Sequence, residues 1–181
     1  MKLHILGASG SGVTTLGQAL SIHLQIPYFD SDHYFWENID PPFSQQRLPA
    51  ERNEMIRSHL DEQKSWILGG SVTNWGEDVF PCFDLIVFLW IPPQIRMERL
   101  YKRERERYGD LIITDPYRSK LHDAFMTWAA DYDRNTGIAS RNIQTHQQWL
   151  RRQTSPVVEL GGDLSTSTRI KLVIKAIEKA R

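Results

Sequence analysis

Short apolar runs alternate along the chain with segments in which apolar residues recur at helical spacing. Apolar runs followed by glycine or aspartate are typical of buried strands, and we predict strands at 3–6, 28–29, 66–68, 85–91 and 157–160. Helical spacing predicts helices at 14–24, 50–62, 94–107, about 119–134, about 140–152, and at the C-terminal end. Strands separated by helices indicate an α/β fold, with a parallel sheet and helices on both faces.

A glycine-rich loop, GASGSGVTT at 7–15, lies between the first predicted strand and the first predicted helix. It matches the phosphate-binding pattern G-x-x-x-x-G-K-[ST] at every defining position except one. Small residues let backbone N–H groups converge on phosphate oxygens, and the helix N-terminus adds a favourable dipole. A tight turn without a ligand would share this local pattern. We expect nucleotide phosphates to bind at Gly7, Ser9, Gly10, Ser11, Gly12, Val13, Thr14 and Thr15.

The exception is Val13, which occupies the position of the lysine in this Walker A pattern. That lysine contacts the β- and γ-phosphates and neutralises charge during transfer. Valine carries no charge, so either another cation replaces the lysine or the chemistry is slow or lost. At the following position, the hydroxyl of Thr14 stands where a Mg²⁺ ligand is expected.

Two carboxylates, Asp30 and Asp32, follow the second predicted strand with one residue between them. In open α/β sheets, ligands bind at the carboxyl ends of the strands. One carboxylate can hold Mg²⁺, directly or through water, and the other can orient or deprotonate an acceptor hydroxyl. Helix capping or a solvated loop are the alternative roles for such residues.

The helix predicted at 94–107 is rich in arginine, and Arg96, Arg103 and Arg107 recur on one face. A solvated helix with interleaved Glu–Arg pairs would show the same composition. Arginine is always charged and binds phosphate through a planar fork. This segment is therefore our candidate source of the cation that the loop lacks.

The length of 181 residues fits one domain, residues 1–181. The 22 basic residues balance 22 acidic ones, which argues against a dedicated nucleic-acid or membrane-surface binder. Cys82 is the single cysteine and we expect it to be buried, as we expect for His4. The absence of disulfide partners, of a long apolar run and of a signal-peptide pattern predicts a cytoplasmic protein.

Taken together, the phosphate loop, Asp30-x-Asp32, the Gly69-Gly70 turn and the arginine-rich helix resemble the small P-loop kinases. These include the nucleoside monophosphate kinases, shikimate kinase and gluconate kinase. The strands WILGG and FDLIVFL are most similar to adenylate-kinase-related proteins, some of which are labelled topology modulation proteins. The resemblance covers residues 2–108 well and the C-terminal half in outline.

The resemblance implies a five-stranded parallel sheet, an acceptor-binding region at about 32–62 and a lid at about 95–118. It also implies that backbone at Gly162, after the last strand, holds the adenine of ATP. The lid arginines would neutralise the transferring phosphate, and the residues we assign to this role are Arg99, Arg103 and Arg107. A monomer is the usual state in this family, and a homodimer stays open.

Two hypotheses follow. The first is a kinase that transfers the γ-phosphoryl group of ATP, with Mg²⁺, to a small hydroxyl or phosphate acceptor, nucleoside monophosphate-like or shikimate-like. Thr14 and Asp30 would serve Mg²⁺ and Asp32 the acceptor. The second is a nucleotide-binding regulator or pseudo-kinase with little turnover, which Val13 favours.

Overall fold

The computed structural model of the chain describes residues 1–40, 42–76 and 78–180. Pro41, in the predicted acceptor-binding region, lies outside the described residues, as do Glu77 and the last residue of the predicted domain, Arg181.

Five parallel strands form one sheet in the order β2-β3-β1-β4-β5. They are β1 (Lys2–Gly7), β2 (Tyr28–Asp30), β3 (Trp66–Gly69), β4 (Leu85–Trp90) and β5 (Val157–Gly161). Each lies within one or two residues of a predicted strand, so the predicted five-stranded parallel sheet is confirmed. Since the strands are parallel, their carboxyl ends all meet at one edge of the sheet.

Eight helices are present in the described part of the chain. They are α1 (Val13–Leu24), α2 (Ser31–Phe35), α3 (Pro49–Asp61), α4 (Pro93–Tyr108), α5 (Leu111–Thr114), α6 (Pro116–Arg134), α7 (Ile143–Arg151) and α8 (Thr166–Ala180). The short helices α2 and α5 were not predicted, because four or five residues are too few for a helical period to stand out.

The two faces of the sheet carry separate apolar clusters. Leu3 and Ile5 of β1 pack on the face covered by α1 and α8, whereas Leu6 packs on the face covered by α3 and α7. Successive side chains of a strand point to opposite faces, so the wholly apolar β4 supplies both clusters. The sheet is thus buried on both sides, and only its edges are open to ligands.

Two expectations about single residues have different outcomes. His4 is fully buried, and its ring stacks on Phe83 with the ring centroids 4.9 Å apart. Cys82 is exposed, so the expectation that it would be buried was wrong. Cys82 lies in the loop before β4, where the core is already filled by the larger neighbouring ring of Phe83.

Candidate functional site

The glycine loop leads from β1 into α1 with two residues in the left-handed region, Gly10 at φ 84° and Gly12 at φ 90°. The loop closes tightly, since Ser11 donates its backbone N–H to the Ala8 carbonyl at 3.0 Å. A Cβ on Gly7 would lie 2.6 Å from the Leu89 carbonyl oxygen. Gly12 caps α1 without a side-chain hydrogen bond, so the first N–H groups of α1 have no side-chain cap. This arrangement suits an anion at the start of α1.

Thr14 and Asp30 meet beside this loop. The Thr14 hydroxyl donates to Asp30 Oδ2 at 3.1 Å, and the Tyr28 hydroxyl donates to the same oxygen at 3.0 Å. Asp30 Oδ1 accepts the backbone N–H of Asp32 at 3.0 Å, so Asp30 also caps α2. The capping role that the sequence left open is therefore present. Because Thr14 gives its proton to Asp30, its oxygen lone pairs face away from that carboxylate.

Asp32, the second carboxylate, lines the same cavity as the loop. The surrounding protein raises the pKa of its carboxyl, mainly through desolvation and then through the charge of Asp30. Arg141, His33 and Arg103 oppose this effect and favour the charged form. A carboxylate with a raised pKa and facing a cavity is suited to accept a proton.

Arg99 and Arg103, two of the three predicted arginines, reach the cavity of the loop, but Arg107 does not. Arg99 is ion-paired with Asp163 in the loop after β5. Arg103 lies over the ring of Phe125, 5.8 Å from its centroid. Arg107 lines a neighbouring cavity and lies over the ring of Phe43, so its predicted contact with the transferring phosphate is not supported by this placement.

Arg96, which we expected on the lid face with Arg103 and Arg107, is instead buried with 1% of its surface exposed. Its guanidinium donates to the Ser9 carbonyl at 3.1 Å and to Asp133 at 2.6 Å. This expectation was wrong because the N-terminal part of α4 packs against the phosphate loop. The helix face that opens to the cavity at Arg103 is therefore covered at Arg96.

Two cavity-lining cations, Arg141 and Arg169, were missed by the sequence reasoning. The Arg141 guanidinium lies over two aromatic rings, 5.3 Å from the ring centroid of Phe35 and 5.6 Å from that of Trp128. Arg169, on α8, donates to the carbonyl of Ser11 at 2.8 Å. A signal for Arg169 existed, because it precedes the buried Val173 and Ile177 at four-residue spacing and so occupies a core position of α8.

A buried chain of polar groups forms part of the cavity wall. His146 Nε2 lies 2.9 Å from the hydroxyl of Ser71, which follows the Gly69-Gly70 turn, and His146 Nδ1 lies 2.8 Å from the hydroxyl of Tyr132. Burial, together with Arg141, lowers the pKa of His146 to about 3, so its ring is neutral near pH 7. These two hydrogen bonds connect α6 and α7 to the residues that follow β3.

The loop and these side chains enclose a cavity of about 460 Å³. A second cavity of about 500 Å³ adjoins it, and the two share Ser9, Asp32, Arg103, Trp128 and Arg141. The second cavity, which we call the aromatic cavity, is walled by rings and cations from α2, the loop after it, α4, α6 and the loop between α6 and α7. Its rings are Phe35, Trp36, Phe43, Tyr108, Phe125 and Trp128, and its arginines are Arg103, Arg107, Arg118 and Arg141. Asp32 therefore stands where the two spaces join.

Gly162 follows β5 at the same edge of the sheet, with φ 87°. Its N–H donates to the Trp90 carbonyl at 2.9 Å, and open space lies where a Cβ would be. Backbone here is accessible to a flat ligand, although Gly162 does not line the phosphate-loop cavity itself.

Within residues 1–40, 42–76 and 78–180, every helix is too short or too polar to span a bilayer. In the same residues, no three His, Cys, Asp or Glu side chains cluster in a way that could hold a metal ion. Thr14 and Asp30 nevertheless offer oxygen ligands of the kind that Mg²⁺ takes when substrate phosphates complete its coordination.

No protein-family model matches the chain. The protein described as "Uncharacterized protein YqaC" from Bacillus subtilis (strain 168) is 38% identical over 173 residues, covering 96% of this chain and 95% of that protein.

Several kinases are among the solved structures that have a similar fold. Deoxyadenosine kinase from M. mycoides, with bound dATP, has a TM-score of 0.55 at 14% identity and covers 98% of this chain and 100% of its own. A gluconokinase from Sinorhizobium meliloti 1021 has a TM-score of 0.54 at 15% identity, and the match covers 98% of this chain and 91% of the gluconokinase. Shikimate kinase from Acinetobacter baumannii, in complex with shikimate, has a TM-score of 0.51 at 16% identity, and the match covers 99% of this chain and 93% of the shikimate kinase. The chain thus has the fold of the P-loop kinases.

Proposed function

We propose that this chain, which belongs to the same family as Bacillus subtilis YqaC, is an ATP-binding small-molecule kinase. The observation that carries the proposal is the joining of two cavities at Asp32, with the phosphate loop on one side and an aromatic, arginine-lined space on the other. We assign the polyphosphate of ATP to the first cavity and the acceptor to the second. Residues 1–181 would form one domain, with the acceptor-binding region at about 32–62 and the lid at about 95–118.

In this proposal, backbone N–H groups of the loop and of the start of α1 bind the phosphates, and Gly162 lies where the adenine would rest. Thr14 and Asp30 would hold Mg²⁺, which supplies charge neutralisation on the phosphates when bound. The residues fit that ion because the Thr14 oxygen keeps its lone pairs free while its proton goes to Asp30.

Asp32 would accept the proton of the acceptor hydroxyl, or orient a phosphate acceptor, as the γ-phosphoryl group moves across the junction. Its raised pKa favours proton uptake, while the charges of Arg141 and Arg103 favour its ionised form. The same two arginines line both cavities and would neutralise the group in transit.

The aromatic cavity indicates an acceptor with a flat or ring-shaped body and an anionic group. Rings stack on flat ligands, while arginine forks bind carboxylate or phosphate. Arg141, stacked on Phe35 and Trp128, is placed for such an anion. Nucleoside monophosphate-like and shikimate-like acceptors both meet this description.

The test is phosphoryl transfer from ATP to a panel of deoxynucleosides, nucleoside monophosphates, shikimate and gluconate. We expect one class to be phosphorylated, and Asp32→Asn to lower the rate by about 10²-fold or more with nearly unchanged ADP affinity. Asp123→Asn, which alters an exposed carboxylate of α6, serves as the matched control and should keep full activity. An Asp32→Asn variant as active as that control would remove Asp32 from the mechanism.

A second candidate function, a nucleotide-binding regulator with little turnover, is favoured by Val13 alone. It predicts tight binding of ATP or ADP and no transfer to any acceptor of the panel. If the folded protein binds neither nucleotide, both candidate functions fail.

A further inference from the structure

Two buried arginines hold the phosphate loop through its carbonyl oxygens, and they differ in one respect. Arg96 of α4 binds the Ser9 carbonyl and is also paired with the carboxylate of Asp133. Arg169 of α8 binds the Ser11 carbonyl at 2.8 Å, and among the described residues no carboxylate lies within ion-pair distance of it.

Arg169 is only 4% exposed, and in the described part of the structure most of its N–H donors have no protein acceptor. Two of its five N–H groups bond to carbonyls, of Ser11 at 2.8 Å and of Gly162 at 3.4 Å. Its Nε is buried and has no hydrogen-bond partner in the part of the chain that the structure describes. Burial and the neighbouring charge of Arg99 lower the pKa of Arg169, and Asp163, which opposes this, is already paired with Arg99. A buried cation without a counter-ion is costly for the fold unless a ligand compensates it.

The Arg169 guanidinium lies beside the part of the loop where nucleotide phosphates are expected to bind. A Cβ built on Gly12 would lie 3.0 Å from Arg169 Nη1, so the cation sits against the last glycine of the loop, directly before Val13. Arg169 also lines the cavity that the loop encloses. Of the three predicted substitutes, Arg99 has a carboxylate partner, Arg103 stacks on Phe125, and Arg107 lines only the aromatic cavity.

We propose that Arg169 supplies, from the C-terminal helix, the positive charge that the loop lacks at position 13, by binding the terminal phosphates of a nucleoside di- or triphosphate. The inference rests on the proposed nucleotide binding and adds a phosphate-binding residue to it. The unpaired N–H groups of the guanidinium form charge-assisted bonds to phosphate oxygens, and the phosphate becomes the counter-ion that the fold does not provide.

A purely structural role, in which Arg169 only ties α8 to the loop, makes a different prediction. Loss of a structural tie lowers stability and is not corrected by a cation placed elsewhere. Loss of a phosphate-binding charge is corrected by a lysine at position 13, because that side chain reaches the same phosphates in the standard loop. Rescue therefore separates the two roles.

The experiment is calorimetric titration with ADP and Mg²⁺ on the full chain, its Arg169→Met and Val13→Lys variants, and the double variant. We expect Arg169→Met to weaken ADP binding about 10- to 100-fold. Val13→Lys should change affinity little when Arg169 is present and should recover at least about tenfold in the Arg169→Met background. Lys175→Met, which removes an exposed charge from the same helix, is the control and should bind ADP as the parent does.

Unchanged ADP affinity in a folded Arg169→Met variant overturns this inference, and so does a loss of affinity that Val13→Lys does not rescue. In either case, ADP binding by the parent chain would still support the proposed nucleotide binding. A parent chain that does not bind ADP instead overturns the proposed function and this inference with it. If Arg169→Met does not fold, Arg169→Lys replaces it in the same cycle. Additive effects of Arg169→Lys and Val13→Lys would then overturn the inference, and a larger gain from Val13→Lys in the Arg169→Lys background would support it.

Discussion

At the scale of single residues, Gly10 shows how closely the phosphate loop is packed. Its φ of 84° is strained for any residue with a side chain. A Cβ there would lie 2.9 Å from the Arg96 carbonyl oxygen and 2.9 Å from Leu100 Cγ, both parts of α4. The glycine thus serves the docking of α4 as well as the turn of the loop.

We predict that Gly10→Ala lowers the free energy of unfolding by about 1–3 kcal/mol, since strain and the clash with α4 add. Gly161→Ala is the matched control, because Gly161 has ordinary backbone angles and open space where its Cβ would be. Urea denaturation of both variants gives the comparison. Equal urea midpoints for the two variants would show that α4 shifts to accommodate the new methyl group with no loss of stability.

The residues of the loop, Asp30 and Asp32 could be predicted from sequence because each lies within a few positions of a strand end. Arg141 and Arg169 were not assigned in this way, because Arg141 enters the site from the loop between α6 and α7, and Arg169 from α8, both far along the chain. The place of Arg141 depends on the path of the loop before α7, which helical periodicity does not encode. The spacing of α8 could mark Arg169 as a core position, but its contact with the phosphate loop depends on how α8 docks. Arg96 was placed in the wrong role for the same reason.

At the scale of elements, the guanidinium of Arg96 joins α4 to α6 through an ion pair and to the phosphate loop through a hydrogen bond. The Arg96 guanidinium bonds to Ser9 of the loop, and to the Ala129 carbonyl and the Asp133 carboxylate of α6. Its stem lies on the buried side of α4 with Leu100 and Glu104. The site wall formed by α6 is thereby fixed relative to the loop.

We predict that Asp133→Asn lowers the free energy of unfolding by about 2–4 kcal/mol, because it leaves the Arg96 charge buried without a counter-ion. Glu106→Gln breaks the exposed pair with Lys102 on the same helix α4 and should cost less than about 0.5 kcal/mol. Thermal or urea unfolding measures both. A loss in Asp133→Asn no greater than in Glu106→Gln would contradict the role given to this pair.

All five strands and the six long helices could be predicted from periodicity, with ends displaced by a few residues. The short helix α2 could not, although helix capping was left open as an alternative role for its cap, Asp30. Helix α5 follows Gly109, where the chain turns at φ 58° after α4. Such one-turn helices depend on their surroundings more than on their own sequence.

At the scale of the whole molecule, the two cores on either side of the sheet differ in chemistry. The face covered by α1 and α8 is aliphatic, whereas the other face includes the buried His4 among aromatic rings. The Nδ1 of His4 donates to the Leu68 carbonyl at 3.0 Å, and its Nε2 has no partner among the described residues. Burial, partly offset by that bond, lowers the pKa of His4 to about 4.

We predict that this histidine makes stability depend on pH between about 6.5 and 4. In that window the unfolded chain binds a proton that the folded chain does not, so the free energy of unfolding falls as pH falls. His4→Phe should reduce the slope by up to about 1.4 kcal/mol per pH unit. Urea unfolding of parent and variant at several pH values measures the slopes. Parallel slopes would mean that His4 is not buried in its neutral form.

The distance along the chain between the phosphate loop and Arg169 also has a consequence for synthesis. A ribosome releases the loop first, and β1 to β4 precede β5 and α8 by many residues. A nascent chain that has reached α7 already carries the glycine turns, Asp30 and Asp32, yet its loop lacks the guanidinium on Ser11. Under the role proposed for Arg169, the nucleotide is held fully only once α8 has docked. Tight nucleotide binding would then report that the chain has been translated through α8 and that this helix has packed against the sheet.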